Sequence, residues 1–152
     1  MKPLPIGIQT FRKIIDGNYL YIDKTRQIYQ MIKNPSGAYF LSRPRRFGKS
    51  LTLSTLEEIF LGNRELFWGL WIYDSEYSWK KHPVIRFDFS KQKSNEPNIL
   101  IGFINNQLDY IADAYSVQLT KKEYFERFQE LIMKLGKTEK VVILIDEYDK
   151  PI

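Results

Sequence analysis

Two short segments carry residues able to handle a phosphorylated ligand. Leu41-Ser42-Arg43-Pro44-Arg45-Arg46-Phe47-Gly48-Lys49-Ser50 follows one apolar run, and Val141-Val142-Ile143-Leu144-Ile145-Asp146-Glu147 ends another about a hundred residues later. A loop that cradles phosphates needs backbone N–H groups converging at a helix start, where the helix dipole favours anions. It also needs a flexible residue, a long cation and a hydroxyl able to ligate magnesium. Gly48, Lys49 and Ser50 fill those three roles in order. Arg46, Phe47 and Leu51 complete the stretch whose backbone would surround the phosphates. The general pattern places a glycine five residues before Gly48, and Arg43 stands there instead, followed by Pro44. That turn is therefore made without glycine's freedom. Read alone, Gly48-Lys49-Ser50 also suits a cationic turn that merely caps a helix.

Asp146 sits where five aliphatic residues end. In phosphoryl transfer an Asp so placed holds magnesium, and an adjacent Glu polarises the attacking water. Glu147 is in that position. Taken alone, the pair equally reads as an exposed turn closing a strand. The run Asp146-Glu147-Tyr148-Asp149-Lys150 does not make a metal-dependent nuclease centre, because Tyr148 occupies the position where Glu-x-Lys needs its acid.

The elements that must position these residues follow from spacing. Tyr19 to Ile22 is extended, and a helix comes next with Ile28, Met31 and Ile32 on one side, capped by Asp23 or Thr25. Asn34-Pro35-Ser36-Gly37 ends it. Ala38 to Leu41 reads as a strand buried on both faces. Lys49 to Leu61 is a helix with Leu53, Leu56 and Phe60 on one face, stopped at Gly62. Pro83 to Phe89 alternates as a strand, with Asp88 able to touch a metal or to cap the segment after it. Helical spacing over Ile99 to Tyr115 and Lys121 to Leu135 leads to a buried-type strand at Val141 to Ile145. Strands separated by helices predict an α/β parallel sheet, with ligands at the carboxyl ends of the strands. Both motifs lie at that end. Residues 1–36 form a strand and helix segment leading into a core of residues 37–152.

Composition narrows the chemistry. The chain has 152 residues, 43% hydrophobic and 27% charged, enough for a real core. There is no cysteine, which removes disulfides, thiol nucleophiles and cysteine zinc sites. His82 is the one histidine, so a histidine metal cluster has no second member, and beside Pro83 it reads as a surface residue rather than as a partner for a nucleophilic serine. The formal charge of +5 favours anionic partners such as nucleotides or nucleic acid. No apolar stretch is long enough for a membrane span or a secretory leader, so a soluble cytoplasmic protein is expected. Phe67, Trp68, Trp71, Tyr73, Tyr77 and Trp79 are expected to pack the connection between helix and strand onto the sheet rather than to stack on bases.

Together, Arg43 to Ser50 and Ile145-Asp146-Glu147-Tyr148-Asp149-Lys150-Pro151 resemble the bacterial AAA-ATPase-like family. Tyr21-Ile22-Asp23-Lys24-Thr25 and His82-Pro83-Val84-Ile85-Arg86 fit the same layout. In that family the arginine at the position of Arg43 is usual. The resemblance implies a P-loop NTPase fold of the kind with an extra strand between the loop strand and the acidic strand, with ATP and magnesium as cofactors. It implies that Gly48, Lys49 and Ser50 bind phosphates, that Ser50 and Asp146 hold the metal, and that Glu147 and Lys49 serve hydrolysis. Members are longer and many end in a domain similar to restriction-type nucleases. The sheet is accordingly expected to be incomplete at the C-terminus, with further C-terminal chain as its partner. Two readings stand: an ATPase module driving a conformational change, or a nucleotide-dependent regulatory or nucleic-acid-binding module with little hydrolysis. Base preference, oligomeric state and the driven substrate are not written in these residues.

Overall fold

A computed structural model describes residues 1–34, 37–42, 48–92 and 96–148. The chain forms two compact units, residues 1–81 and 82–152.

The first unit begins with a six-residue helix, α1 (Phe11–Asp16), too short for its apolar residues to reveal a period. Helix α2 (Thr25–Ile32) buries Thr25, Ile28 and Ile32, close to the expected face. Asp23 organises its start. One carboxylate oxygen accepts the Thr25 backbone N–H at 2.8 Å and the Thr25 hydroxyl at 2.7 Å, and the other accepts the Trp71 N–H at 2.7 Å. Helix α3 (Lys49–Phe60) runs as anticipated, but its buried face differs. Ser54, Thr55, Leu56, Glu58 and Ile59 are buried, so Leu56 of the expected stripe is covered while Leu53 and Phe60 are half-buried. The reason is polar: the Ser54 hydroxyl accepts the Phe11 N–H at 2.9 Å, which lets α1 approach α3 closely. Arg12 forks onto Glu58 through Nε and a terminal nitrogen at 2.9 and 2.8 Å, tying the same two helices. That hydrogen bond to Glu58 raises the already high Arg12 pKa further.

Two 3-10 turns, Arg64–Phe67 and Trp71–Asp74, complete the unit. Phe67 is fully buried, stacked on Phe11 with centroids 4.6 Å apart and tilted against Trp79 at 5.1 Å. Of the aromatic stretch expected to pack on the sheet, Phe67 instead packs on Phe11 of α1, Trp71 lies against Tyr29 of α2, and Trp68 is exposed. Ala38 to Leu41 is not a strand. The sheet among the described residues contains β1 (Val84–Asp88) and β2 (Val142–Asp146) only, and Tyr39 and Phe40 are exposed. A short apolar run becomes a strand only when another strand takes its N–H and C=O groups.

In the second unit β1 and β2 pair in parallel, Val84 opposite Val142 and Asp88 opposite Asp146. Helices α4 (Pro97–Ala114) and α5 (Tyr124–Leu135) connect them, the first opening on a proline whose missing N–H costs nothing at that position. Ile85, Phe87, Leu108, Ile111, Ala112, Leu131 and Leu135 form the buried core. The Tyr115 hydroxyl reaches the strand, accepting the Val84 N–H at 2.7 Å. Strand β2 is buried on one face only: Leu144 and Asp146 are covered, while Ile143 and Ile145 are exposed at 41% and 46%. The buried-type reading of this strand is corrected accordingly. No helix among the described residues is long and apolar enough to cross a membrane.

Glu130 fastens the approach to α5. It takes a 2.8 Å ion pair from Lys134 and accepts the backbone N–H groups of Thr120 and Lys121 at 2.8 and 3.1 Å. The Lys134 contact, aided by those N–H donors, holds its carboxyl down to about 2 from an ordinary 4.5. A carboxylate depressed on folding stabilises above its unfolded pKa and loses that contribution as pH falls through the folded one. Glu130→Gln should therefore melt lower than the parent at pH 7, and the gap should close between pH 4.5 and about 2. Thermal melts across that range check it; a gap independent of pH contradicts it.

Candidate nucleotide site

Gly48 sets the start of α3. Its φ of 76° and ψ of 22° lie in the left-handed region, which glycine enters without a Cβ clash. An added Cβ would meet nothing within 4 Å, so the demand for glycine here comes from the backbone angle rather than from crowding. Lys49 and Ser50 are the first two helical residues, Leu51 is the third, and the first turn carries no acidic side chain. A helix start with free N–H groups, a lysine and no carboxylate is electrostatically prepared for an anion. The Thr52 hydroxyl donates to the Gly48 carbonyl at 2.9 Å, fixing the αL residue to the turn it begins. Gly48, Lys49, Ser50 and Leu51 are thus brought together on one helix start. Arg43, Arg46 and Phe47 lie outside the described residues.

Charge follows the same division. Residues 1–81 hold 13 Lys and Arg against 7 Asp and Glu, whereas residues 82–152 hold 10 against 11. The whole basic excess belongs to the unit that contains Lys49.

Asp146 and Glu147 are in the second unit, at the carboxyl end of β2. Asp146 is 5% exposed. One of its oxygens accepts the Glu147 N–H at 3.1 Å, and the other lies 3.9 Å from an Arg86 terminal nitrogen. The parallel register places Asp88 directly opposite Asp146, so two carboxylate-bearing residues sit side by side on one face. Arg86, two residues back along β1, supplies the cation beside them. Asp88 also accepts the Ser90 N–H at 2.9 Å and caps the turn Phe89–Lys91, the second of its two anticipated roles. Glu147 has φ of 52°, in the left-handed region, as have Asn18, Trp79 and Ser116 elsewhere in the chain.

Among the described residues, no three metal-ligating side chains converge. The Ser50 hydroxyl in the first unit and the Asp146 carboxylate in the second are each of the oxygen type that magnesium accepts. Sequence reasoning missed the contribution of Arg86 as the neighbour of Asp146, because only the β1–β2 register creates that proximity. His82 donates from Nδ1–H to the Lys140 carbonyl at 3.0 Å, a structural contact just ahead of the two strands.

These features define an α/β protein with an anion-ready helix start and an acidic strand end. The chain belongs to the AAA-ATPase-like family, described as predicted AAA-ATPase, whose model matches residues 5–152. It is similar to a protein of Azotobacter chroococcum mcd 1 described as an uncharacterized protein in the vnfD 5' region, with 47% identity over 155 residues. That match takes in 99% of this chain and 30% of the relative, so the chain spans under a third of that protein's length. No solved structure matches the chain.

Proposed function

We propose that this chain is the magnesium- and ATP-binding module of an AAA-like ATPase with a P-loop site. The observation that carries the reading is Gly48 in the left-handed conformation, delivering Lys49 and Ser50 as the first two residues of α3. Family membership supports it, as does the confinement of the basic excess to residues 1–81. Backbone N–H groups from Arg46 to Leu51 surround the phosphates, and Lys49 neutralises the terminal ones. Ser50 and Asp146 would each serve as an oxygen ligand for magnesium, and the ion would supply charge stabilisation to the phosphates. Glu147 orients the attacking water and accepts its proton. Hydrolysis belongs to the complete protein, where further chain supplies the remaining charge stabilisation. The work it drives, its partners and a cytoplasmic location are part of the same proposal.

The concentrated positive charge also favours the second reading, a regulatory or nucleic-acid-binding module with little turnover. Salt-sensitive retention of DNA or RNA that ignores nucleotide would support it. The primary reading is tested by thermal unfolding with ligand. A ligand that binds only the folded state stabilises it by about 2.7 kcal/mol at a hundred times its Kd. MgATP should raise the unfolding midpoint, while magnesium alone should leave it unchanged. A midpoint indifferent to millimolar MgATP contradicts the proposal.

A further inference from the structure

Between Asp23 and Glu57 the chain carries seven lysines and arginines and no carboxylate. Arg43, Arg45, Arg46 and Lys49 belong to the phosphate-loop stretch, but Lys24, Arg26 and Lys33 lie on α2 or flank it. The helical period sets Arg26, Tyr29, Gln30 and Lys33 on one face, away from the Ile28 and Ile32 that α2 buries. Arg26, Gln30 and Lys33 are exposed and Tyr29 is half-buried.

Trp71 borders this face. Its ring lies 5.4 Å from that of Tyr29, and the Arg26 guanidinium sits 5.9 Å over its centroid. The turn that carries Trp71 is fastened to the start of α2. The Trp71 N–H donates to Asp23 at 2.7 Å, the Ile72 N–H donates to the Thr25 hydroxyl at 3.1 Å, and Ile72 is fully buried. Asp23, the acid beside this face in sequence, has both oxygens engaged by Thr25 and Trp71. Trp71 nevertheless stays 41% exposed, and Trp68, which leads into the same turn, stays 79% exposed. A fixed indole open to solvent, with cations along the adjoining helix face, offers a flat π surface and positive charge together.

Single-stranded nucleic acid has the complement of both, because its bases are free to stack and its phosphates are regularly spaced. A duplex hides its base faces, and an acidic peptide brings charge without a flat ring. We infer that the α2 face of Arg26, Tyr29 and Lys33, together with Trp71, binds single-stranded nucleic acid. One base stacks on Trp71, and Arg26 and Lys33 take phosphates. Those two cations are seven residues apart, about 10 Å along the helix axis, so they meet different phosphates of one strand. The inference rests on the second reading above, to which it adds the surface and the type of strand, and it needs nothing from the ATP site.

The test is fluorescence anisotropy with a labelled oligothymidylate of about 16 nucleotides, and with a duplex of equal length, over a range of salt. It is run on the parent, Trp71→Ala, Arg26→Ala, Lys33→Ala and Lys49→Ala, with circular dichroism to confirm folding. The parent should bind the single strand more tightly than the duplex. Trp71→Ala should lose about tenfold in affinity at an unchanged salt slope, since a lost stack removes no charge. Arg26→Ala and Lys33→Ala should each reduce the slope of log K against log salt by about 0.7. Lys49→Ala should keep single-strand affinity within about twofold. Arg26 and Lys33 are exposed positions at which alanine preserves the helix, so they decide the matter if Trp71→Ala does not fold. Strand binding unchanged in folded Arg26→Ala and Lys33→Ala would overturn this surface alone. Equal affinity for duplex, loss in Lys49→Ala, or full displacement by polyglutamate would overturn it too. A parent that binds no oligonucleotide would overturn the second reading with it and leave the MgATP reading standing.

Discussion

Glu147→Gln should leave MgATP binding within about twofold of the parent while lowering hydrolysis in the turnover-competent protein by about 10²- to 10⁴-fold, the usual worth of a positioned general base. The substitution keeps the shape of the side chain and its hydrogen-bonding reach but removes the carboxylate that accepts a proton from water. Its position argues for a directed role. Glu147 follows a buried strand residue and is held at φ of 52°. Its own N–H is engaged by the Asp146 carboxylate at 3.1 Å. Steady-state phosphate release and equilibrium nucleotide binding, measured on the same preparation, separate the two effects. Loss of binding together with turnover would assign Glu147 to ligand contact or folding instead. Full turnover in Glu147→Gln would remove it from the chemistry altogether.

Lys49→Ala is expected to weaken MgATP binding by about 100-fold or more. A charge-assisted hydrogen bond is worth about 1.5 to 3 kcal/mol, and each 1.4 kcal/mol is a factor of ten. The ammonium of a phosphate-loop lysine touches two phosphoryl groups, so the upper part of that range applies. Stability should change little. Lys49 is the first helical residue, partly exposed, and alanine has the best helix propensity of any replacement. The variant thus isolates the charge from the fold. A melting temperature close to the parent's, combined with lost affinity, is the expected signature.

The elements legible from spacing were those long enough to repeat. Helices α3, α4 and α5 each run for 12 residues or more, and the ends assigned from sequence fall close to those observed. The Gly62 stop and the Asp23 start are readable because turn and cap chemistry is local. Helix α1 was not readable, since Phe11 and Ile14 give one interval and no period. Leu41 and its three preceding residues show the opposite failure. An apolar run states that burial is favourable and says nothing of which partner provides the ladder. Burial of β2 on one face only has the same origin: Ile143 and Ile145 have the composition of covered residues, but cover depends on neighbours that spacing cannot name.

The candidate site divides along the same line. Gly48, Lys49 and Ser50 were legible because a conformational demand, a charge and a hydroxyl fall on adjacent residues, and Gly48 does adopt the left-handed backbone that the pattern asks for. Asp146 was legible as the polar end of an aliphatic strand, and it is indeed buried there. Asp88 is readable as a residue able to touch the same metal, but Arg86 is not readable as a neighbour of Asp146, because that approach depends on a parallel register set by packing across the 58 positions that separate Asp88 from Asp146.

Calorimetric titration of MgATP into the protein and into Lys49→Ala, side by side, tests the central claim most directly. Saturable binding at one site in the parent, weakened by about 100-fold in the variant at equal stability, is the predicted outcome. Equal affinities in two folded proteins, or no heat of binding in either, would contradict a phosphate site at the start of α3.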